Sequence, residues 1–471
     1  MNHFAAPSFH NLKLALLGII FLTVGCNTKS LASNPSGPAQ RAAEPILSSN
    51  DISWLFPAPT RASDFANLIA VSQVTTPAPI WTDAVFKRFL EIASTSSEVV
   101  QADGTKVHIN LPQAAQSIDA WYIAGVRIDP GAPGLSTEIH NEYGQLPEIR
   151  LIIQPVIKNP DGSPKVLDIA GHLIFDFVTR TPDPSPQGKD CFPRPVPDTA
   201  AFNSVIADLV SLRNKLSDGK FGNHAVSTVG VPLGVHPGLA DPGTVNAVRA
   251  EMLSFLQKHL VAERLGSMAV AALPSPAPAP WIFLSILAVP PGVIPALPSG
   301  GFIPVHGPTL DGTQFAQMLN PKGTNPRAVP APQTNNLNPI TCRNAAVLPT
   351  SSLPIEQRKG VSTSAVFANP SMPADQAKQI LDTIADPQKS FFFNTDCISC
   401  HTETTLTMDV LQLKEIPGIN RAALPNGLWD VRNFGWGDTK SGMQATVTRR
   451  AANETAAAVA SINSERLSIQ Q

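Results

Sequence analysis

Proline interrupts this chain 46 times in 471 residues, near twice the ordinary ~5%. Each proline fixes φ and removes a backbone donor, so it ends helices and is confined to the edges of sheets. A chain cut this often folds into short elements joined by many loops. Even with the 30 glycines added, the two residues stay below the ~25–30% that marks low-complexity sequence. Apolar residues make up 43% and charged residues 15%, against an ordinary ~25% charged. Disorder along the whole chain is thereby excluded, because it needs charge and low hydrophobicity. The length allows two or three compact domains. With 34 basic and 36 acidic residues, nothing electrostatic favours nucleic acid as a partner.

The N-terminus points out of the cytoplasm. Leu14 to Val24 (LALLGIIFLTV) is uncharged and mostly apolar. It is shorter than the ~20 residues a spanning helix needs but suits a signal-peptide core. The run ends in Leu22-Thr23-Val24-Gly25-Cys26, which resembles a bacterial lipoprotein signal. The resemblance implies lipidation of Cys26 as the mature N-terminus, although Thr23 stands where leucine is usual. A plain secretory signal cut near Ala32 is the alternative. Both export the body; the first also anchors it to a bacterial membrane, facing the periplasm or the exterior. Residues 1–25 are read as signal and 26–50 as a polar tether.

Residues 51–370 read as β-rich with helices, of unassigned role. Val85, Phe86, Phe89 and Ile92 mark a helix over 83–93 with Asp83 as N-cap. Phe202, Ile206, Leu209, Leu212 and Leu216 mark another over 198–216, and a third spans 244–265. Aliphatic and aromatic runs at 118–128, 148–157 and 166–178 predict a mainly antiparallel sheet. Turn chemistry at 159–164 (NPDGSP) joins the last two, and Ala102-Asp103-Gly104 signals a further hairpin. A buried strand is expected over 281–289, and 320–339 is a long loop by composition.

The strongest chemical signal is Cys397-Ile398-Ser399-Cys400-His401. Cys-x-x-Cys-His is the attachment pattern of c-type haem: two thiols add across the vinyl groups and the adjacent imidazole binds iron. Export raises its specificity, since such attachment happens outside the cytoplasm. The alternatives are a Cys397–Cys400 disulfide or redox pair, and half a zinc site lacking a second nearby Cys/His pair. With a helix read over 373–385 before the motif and an alanine-rich helix over 449–462 after it, residues 371–471 resemble the compact class of c-type cytochrome domains. The resemblance implies a small α-helical domain with one haem c on Cys397 and Cys400, His401 as proximal iron ligand, and an unidentified redox partner. Thr402 departs from the glycine frequent at that position, and no methionine-proline segment names the distal ligand.

Met408 lies seven residues beyond His401, on the same face if both are helical. Met443, in the glycine-containing stretch Lys440-Ser441-Gly442-Met443-Gln444, is read as the distal ligand. An upstream histidine, Met372 or an open site are the alternatives. Trp429, Phe434 and Trp436 read as pocket wall. Arg432, Arg449 and Arg450 are read either as partners of haem propionates or as a solvated face. Cys191 and Cys342 are a candidate disulfide in an oxidising compartment, with two buried thiols as the alternative. Glu138, His140 and Glu142 read as an exposed polar face.

The fold class expected is α+β: a mainly antiparallel β-rich region with helices, then the helical cytochrome c-like domain. The function expected is electron transfer in the cell envelope. A haem enzyme or sensor with an open distal site is one alternative. A haem-free binding or structural lipoprotein with a CxxC disulfide is the other.

Overall fold

Alternation within the central strands decides the architecture. In the run from Glu148 to Pro155, the residues Glu148, Arg150, Ile152 and Gln154 alternate with Ile149, Leu151, Ile153 and Pro155. A strand sends successive side chains to opposite faces, so this segment carries one apolar face and one largely polar face. The computed structural model describes residues 46–466 apart from 76–77, 96–98, 101–105, 108, 132–145, 180–195, 220–223, 273–279, 290, 292–298, 306–313, 319–326, 332–360, 362, 364, 367–368, 370, 391–394, 396, 427–432 and 440–441. Among the described residues, ten strands form one antiparallel sheet. Its main path is β1 (Ser53–Leu55), β2 (Trp121–Asp129), β3 (Glu148–Lys158), β4 (Ile169–Asp176), β5 (Leu265–Ala272), β6 (Pro280–Val289), β7 (Gln314–Met318) and β8 (Arg327–Ala331). Pro164–Val166 and Gly301–Val305 pair alongside β3 and β6.

Register extends the alternation across the sheet. Leu151 lies between Val126 and Leu173, Arg150 between Arg127 and Ile174, and Glu148 between Asp129 and Asp176. Ile152 lies opposite His172, which in turn lies opposite Ala269, and Ala170 opposite Ala271. Cross-strand partners share a face. One face is therefore aliphatic and aromatic, while the other carries Arg127, Asp129, Glu148, Arg150, His172 and Asp176.

Helices cover the apolar face. Phe89 of α1 (Asp83–Thr95) meets Trp121 edge-on at 5.6 Å, and Phe255 of α3 (Val245–His259) meets Trp54 at 5.2 Å. Phe202 of α2 (Thr199–Ser217) packs on Phe177 just beyond β4. Phe89, Leu151 and Phe202 are fully buried, each worth about 1.5–3 kcal/mol of apolar transfer.

The polar face of an antiparallel sheet ordinarily meets water. Here the C-terminal segment covers it: α4 (Ala374–Ala385), α5 (Cys397–Val410), a hairpin of β9 (Phe434–Thr439) with β10 (Gly442–Val447), and α6 (Arg449–Ser461). Buried Trp436 donates its indole N–H to Phe56 O at 2.9 Å. Gln154 exchanges two hydrogen bonds with the Trp436 backbone, at 2.7 and 2.9 Å. The Phe434 ring lies on Gly125, where a Cβ would come within 2.7 Å of it. The hydroxyls of Ser53 and Thr455 are 2.9 Å apart. At the edge of this layer Asn463 clasps Leu47, accepting from its N–H at 3.1 Å and donating to its carbonyl at 2.9 Å.

The described residues from 46 to 466 belong to one compact unit. The described residues of 371–471 form a second covering layer of the sheet and contain a hairpin; the small helical domain expected over them is not shown. The buried ties to Phe56, Gln154 and Ser53 hold them there.

Other expectations are refined in detail. Helix α1 starts at Asp83 itself, and Thr82 serves its first turn, its hydroxyl accepting from Val85 N at 3.3 Å. The helix expected over 244–265 stops at His259, and Leu265 opens strand β5. The loop expected over 320–339 contains β8. The hairpin near Ala102-Asp103-Gly104 pairs Val99–Val100 with Lys106–Val107, as expected. Cys26, Glu138, His140, Glu142, Cys191, Cys342, Trp429 and Arg432 lie outside the described residues. Among the described residues no helix is long and apolar enough to cross a membrane.

Candidate functional site

Helix α5 begins at Cys397, so Cys397, Cys400 and His401 occupy positions i, i+3 and i+4 of its first turn. At 3.6 residues per turn these share one face. Another side of the helix is sealed by hydroxyls. Ser399 Oγ accepts from Thr363 N at 2.8 Å, and the Thr363 hydroxyl lies 3.2 Å from Ser399 and 3.3 Å from Thr402. Thr402, the residue in place of a frequent glycine, is thus buried and used in this seal. Met408 lies on the same helix as His401, two turns on.

Helix α6 is capped by Thr448, which accepts from Ala451 N at 3.4 Å. Its first two residues tie the layer together. Arg449 reaches Asp382 on α4, donates to Thr407 on α5 at 2.7 Å, and lies 3.5 Å from Glu403. Glu403 is fully buried, and burial pushes its carboxyl up to about 7 against the pull of Arg449. Arg450 donates to the carbonyls of Ser390 and Asp386 at 2.8 and 3.1 Å and to Glu454 Oε1 at 2.6 Å. Burial alone would lower the Arg450 guanidinium, but Glu454, Cys400 and Asp386 raise it. Both arginines are therefore engaged by the protein's own carboxylates and carbonyls.

A cavity of about 190 Å³ lies between this layer and the polar sheet face. From the covering side it is lined by His401, Asn433, Phe434, Arg450, Ala451 and Glu454, and from the sheet by Arg127, Arg150, Ile152, Ala170, His172 and Ala271. Phe434 is a wall of it, as expected, while Trp436 is buried in the core. Asn433 Oδ1 accepts from the Thr448 hydroxyl at 3.3 Å. Asn433 Nδ2 lies 3.2 Å from His401 Nε2.

Charges around the cavity are closely paired. Glu454 bridges Arg127 (Oε2, 2.6 Å) and Arg450 (Oε1, 2.6 Å). Burial opposes its ionisation, but the two guanidiniums win and hold it at about 2. Arg150 grips Glu148 Oε1 with Nε and an NH2 group at 3.0 and 2.8 Å. Burial and the charge of Glu148 push Asp129 up to about 7 and Asp176 to about 8.

The residues expected from sequence are only partly brought together. Cys400 is half-buried on the motif helix, and His401 opens to the cavity. Met443 is in strand β10 opposite Asp438, rather than in a loop. It packs half-buried against the core and is not among the described residues lining the cavity. Backbone pairing through Gly442, at φ 101°, turns what reads as a glycine loop into a hairpin arm. Sequence reasoning missed His172, Arg127, Arg150, Asn433 and Glu454. The signal was the strand alternation, which places His172, Arg150 and Arg127 on one face.

Two cysteines and a histidine at this spacing are the donor set that haem attachment requires. The cavity is smaller than the ~300–1,000 Å³ of sites enclosing drug-sized ligands, so a macrocycle would sit there only with lining side chains moved outward. Among the described residues, no group of three or more His, Cys, Asp or Glu side chains is arranged to hold a bare metal ion. None of the protein families, curated proteins or solved structures compared with the chain matches it.

Proposed function

We propose that the chain is an exported protein with one haem attached through Cys397 and Cys400, with His401 as proximal iron ligand, and that it transfers electrons in the cell envelope. The observation that carries this reading is the donor set itself, two thiols and an imidazole on the first turn of a helix anchored by Thr363. Asn433 Nδ2 lies 3.2 Å from His401 Nε2, a contact that an iron bound through that nitrogen would replace. Arg127, Glu454 and Arg450 form a cross-linked wall beside the imidazole, part of the lining that a macrocycle would have to displace. The haem supplies one-electron exchange at its iron. The apolar run ending at Cys26 adds the export that such attachment needs.

A second reading has its own support. Cys397 opens a helix and Cys400 lies in the field of Arg450, and both features favour a thiolate. A dithiol–disulfide pair would use the same two residues without haem.

The test is production of the mature chain alongside haem-maturation machinery, followed by denaturing electrophoresis with haem staining and a reduced absorption spectrum. Covalent haem is expected in the wild type and absent in Cys397→Ala with Cys400→Ala. A haem-free wild type, from a host that matures a control cytochrome, overturns the proposal. A reversible Cys397–Cys400 disulfide in that product would support the second reading.

A further inference from the structure

We infer that the cavity between the C-terminal layer and the sheet binds a small organic carboxylate, its charged end on arginines and its short apolar body on the sheet floor. The inference concerns the cavity with its lining in place and stands apart from the haem reading. Three guanidiniums line it, from Arg127 and Arg150 on the sheet and Arg450 on α6. An arginine carries five N–H donors, and one carboxylate partner leaves some of them over. Arg127 gives Nη1 to Glu454, Arg150 gives Nε and Nη2 to Glu148, and Arg450 uses Nε and Nη1. Among the described residues, Nε and Nη2 of Arg127, Nη1 of Arg150 and Nη2 of Arg450 have no hydrogen-bond partner. Charge is left over as well. Glu454 is shared by Arg127 and Arg450, and Glu148 holds Arg150, so two carboxylates face three guanidiniums. Asp129 and Asp176, opposite Glu148 on the neighbouring strands, are held up to about 7 and about 8 by burial and by Glu148, so near pH 6 both are mostly uncharged. A guanidinium fork matches the plane of a carboxylate and binds it through paired N–H donors.

Size and the remaining lining choose the ligand. At about 190 Å³ the cavity is short of the ~300–1,000 Å³ of drug-sized sites, yet it holds more than a single water. It takes an anion of a few non-hydrogen atoms with no side chain displaced. Beside the arginines, Ile152, Ala170 and Ala271 make an apolar floor, and Phe434 and Ala451 face it from the covering layer. Ala170 lies directly opposite Ala271 on the neighbouring strand, and two methyl groups side by side leave space that larger aliphatic side chains would fill. A bare inorganic oxyanion would leave this apolar half uncovered. A carboxylate with a short aliphatic body covers it while the few polar groups fix its orientation.

The test titrates the full chain, as purified, with sodium acetate, propionate and butyrate at about pH 6 and constant ionic strength, read by calorimetry and by thermal shift. Saturable binding is expected, strengthening about fourfold per added methylene until the cavity is full. Propionamide keeps the shape without the charge and should bind at least about tenfold more weakly than propionate. Inorganic phosphate lacks an apolar body and should bind more weakly than butyrate. Ala170→Val raises the floor without touching a charge and should remove the gain from propionate to butyrate. Arg150→Lys keeps the charge, loses the fork and should weaken all three acids alike, by about tenfold. No saturable binding by the folded wild type, phosphate binding as tight as butyrate, or affinities unchanged in both variants overturns the inference. Should a variant fail to fold, the methylene trend and the amide control on the wild type decide.

Discussion

Glu454→Gln isolates the electrostatics that lock the C-terminal layer to the sheet. The substitution keeps the shape of the side chain and removes the charge lying between Arg127 and Arg450. In the folded protein those guanidiniums hold the carboxyl at about 2, below its ordinary 4.5. By linkage that difference is worth about 3 kcal/mol at neutral pH. The side chain is 27% exposed, and solvent screening trims the figure to about 2–3 kcal/mol. Losing a partner from a buried pair points the same way, since it strands the opposite charge. The folded value lies below the unfolded one, so the contribution is full above about pH 5 and fades as pH falls toward 2. Urea unfolding followed by tryptophan fluorescence reads this directly, because Trp54, Trp121 and Trp436 are all buried. The variant should be about 2–3 kcal/mol less stable at pH 7, with the gap under half that size by about pH 3. A gap below about 0.5 kcal/mol at pH 7, or one that does not shrink on acidification, refutes the reasoning.

Other perturbations probe separate parts of the molecule. Asp176 has its carboxyl raised to about 8 by burial and by Glu148, so its ionisation lowers stability as pH rises from about 4 to 8. Asp176→Asn should therefore gain on the wild type between about pH 5 and pH 9 in urea midpoints, and a constant difference would count against this. Gly125→Ala should cost about 1–3 kcal/mol by driving a methyl into the Phe434 ring, and that penalty should vanish in a Phe434→Ala background. Cys26→Ser should abolish metabolic lipid labelling and release the protein from membranes; unchanged labelling would place the anchor elsewhere.

Local pattern was legible where one face of an element meets one core. Helices α1 and α2 followed from Phe89 and Ile92, and from Phe202, Ile206 and Leu209, because three- and four-residue spacing has no other use there. Strand β5 was not legible. Its sequence LGSMAVAA lacks β-branched residues except Val270 and reads as more helix, yet pairing with β4 and β6 on both sides makes it strand. The site divides in the same way. Cys397, Cys400 and His401 announce themselves by spacing. Asn433 and Glu454 do not, since their partners Thr448, Arg127 and Arg450 become partners only once the layer has docked. The join between the two sequence regions was hidden for a related reason. Glu148, Arg150 and Gln154 lie on the face that an antiparallel sheet ordinarily turns to water, whereas Gln154 is wholly buried under Trp436.

The clasp of Asn463 on Leu47 sets an order of events. These partners are 416 positions apart in the chain. Closing so long a loop carries an entropy penalty near 5 kcal/mol, growing only slowly with length, so it is tolerable at equilibrium and felt mainly in time. A polypeptide delivered N-terminus first must keep the charged side of its sheet hydrated until residues 449–463 emerge. Only then do Glu454 and Thr455 arrive to meet Arg127 and Ser53. Completion of this fold waits for residues 449–463, and a chain stopped before residue 449 would lack the helix that closes it.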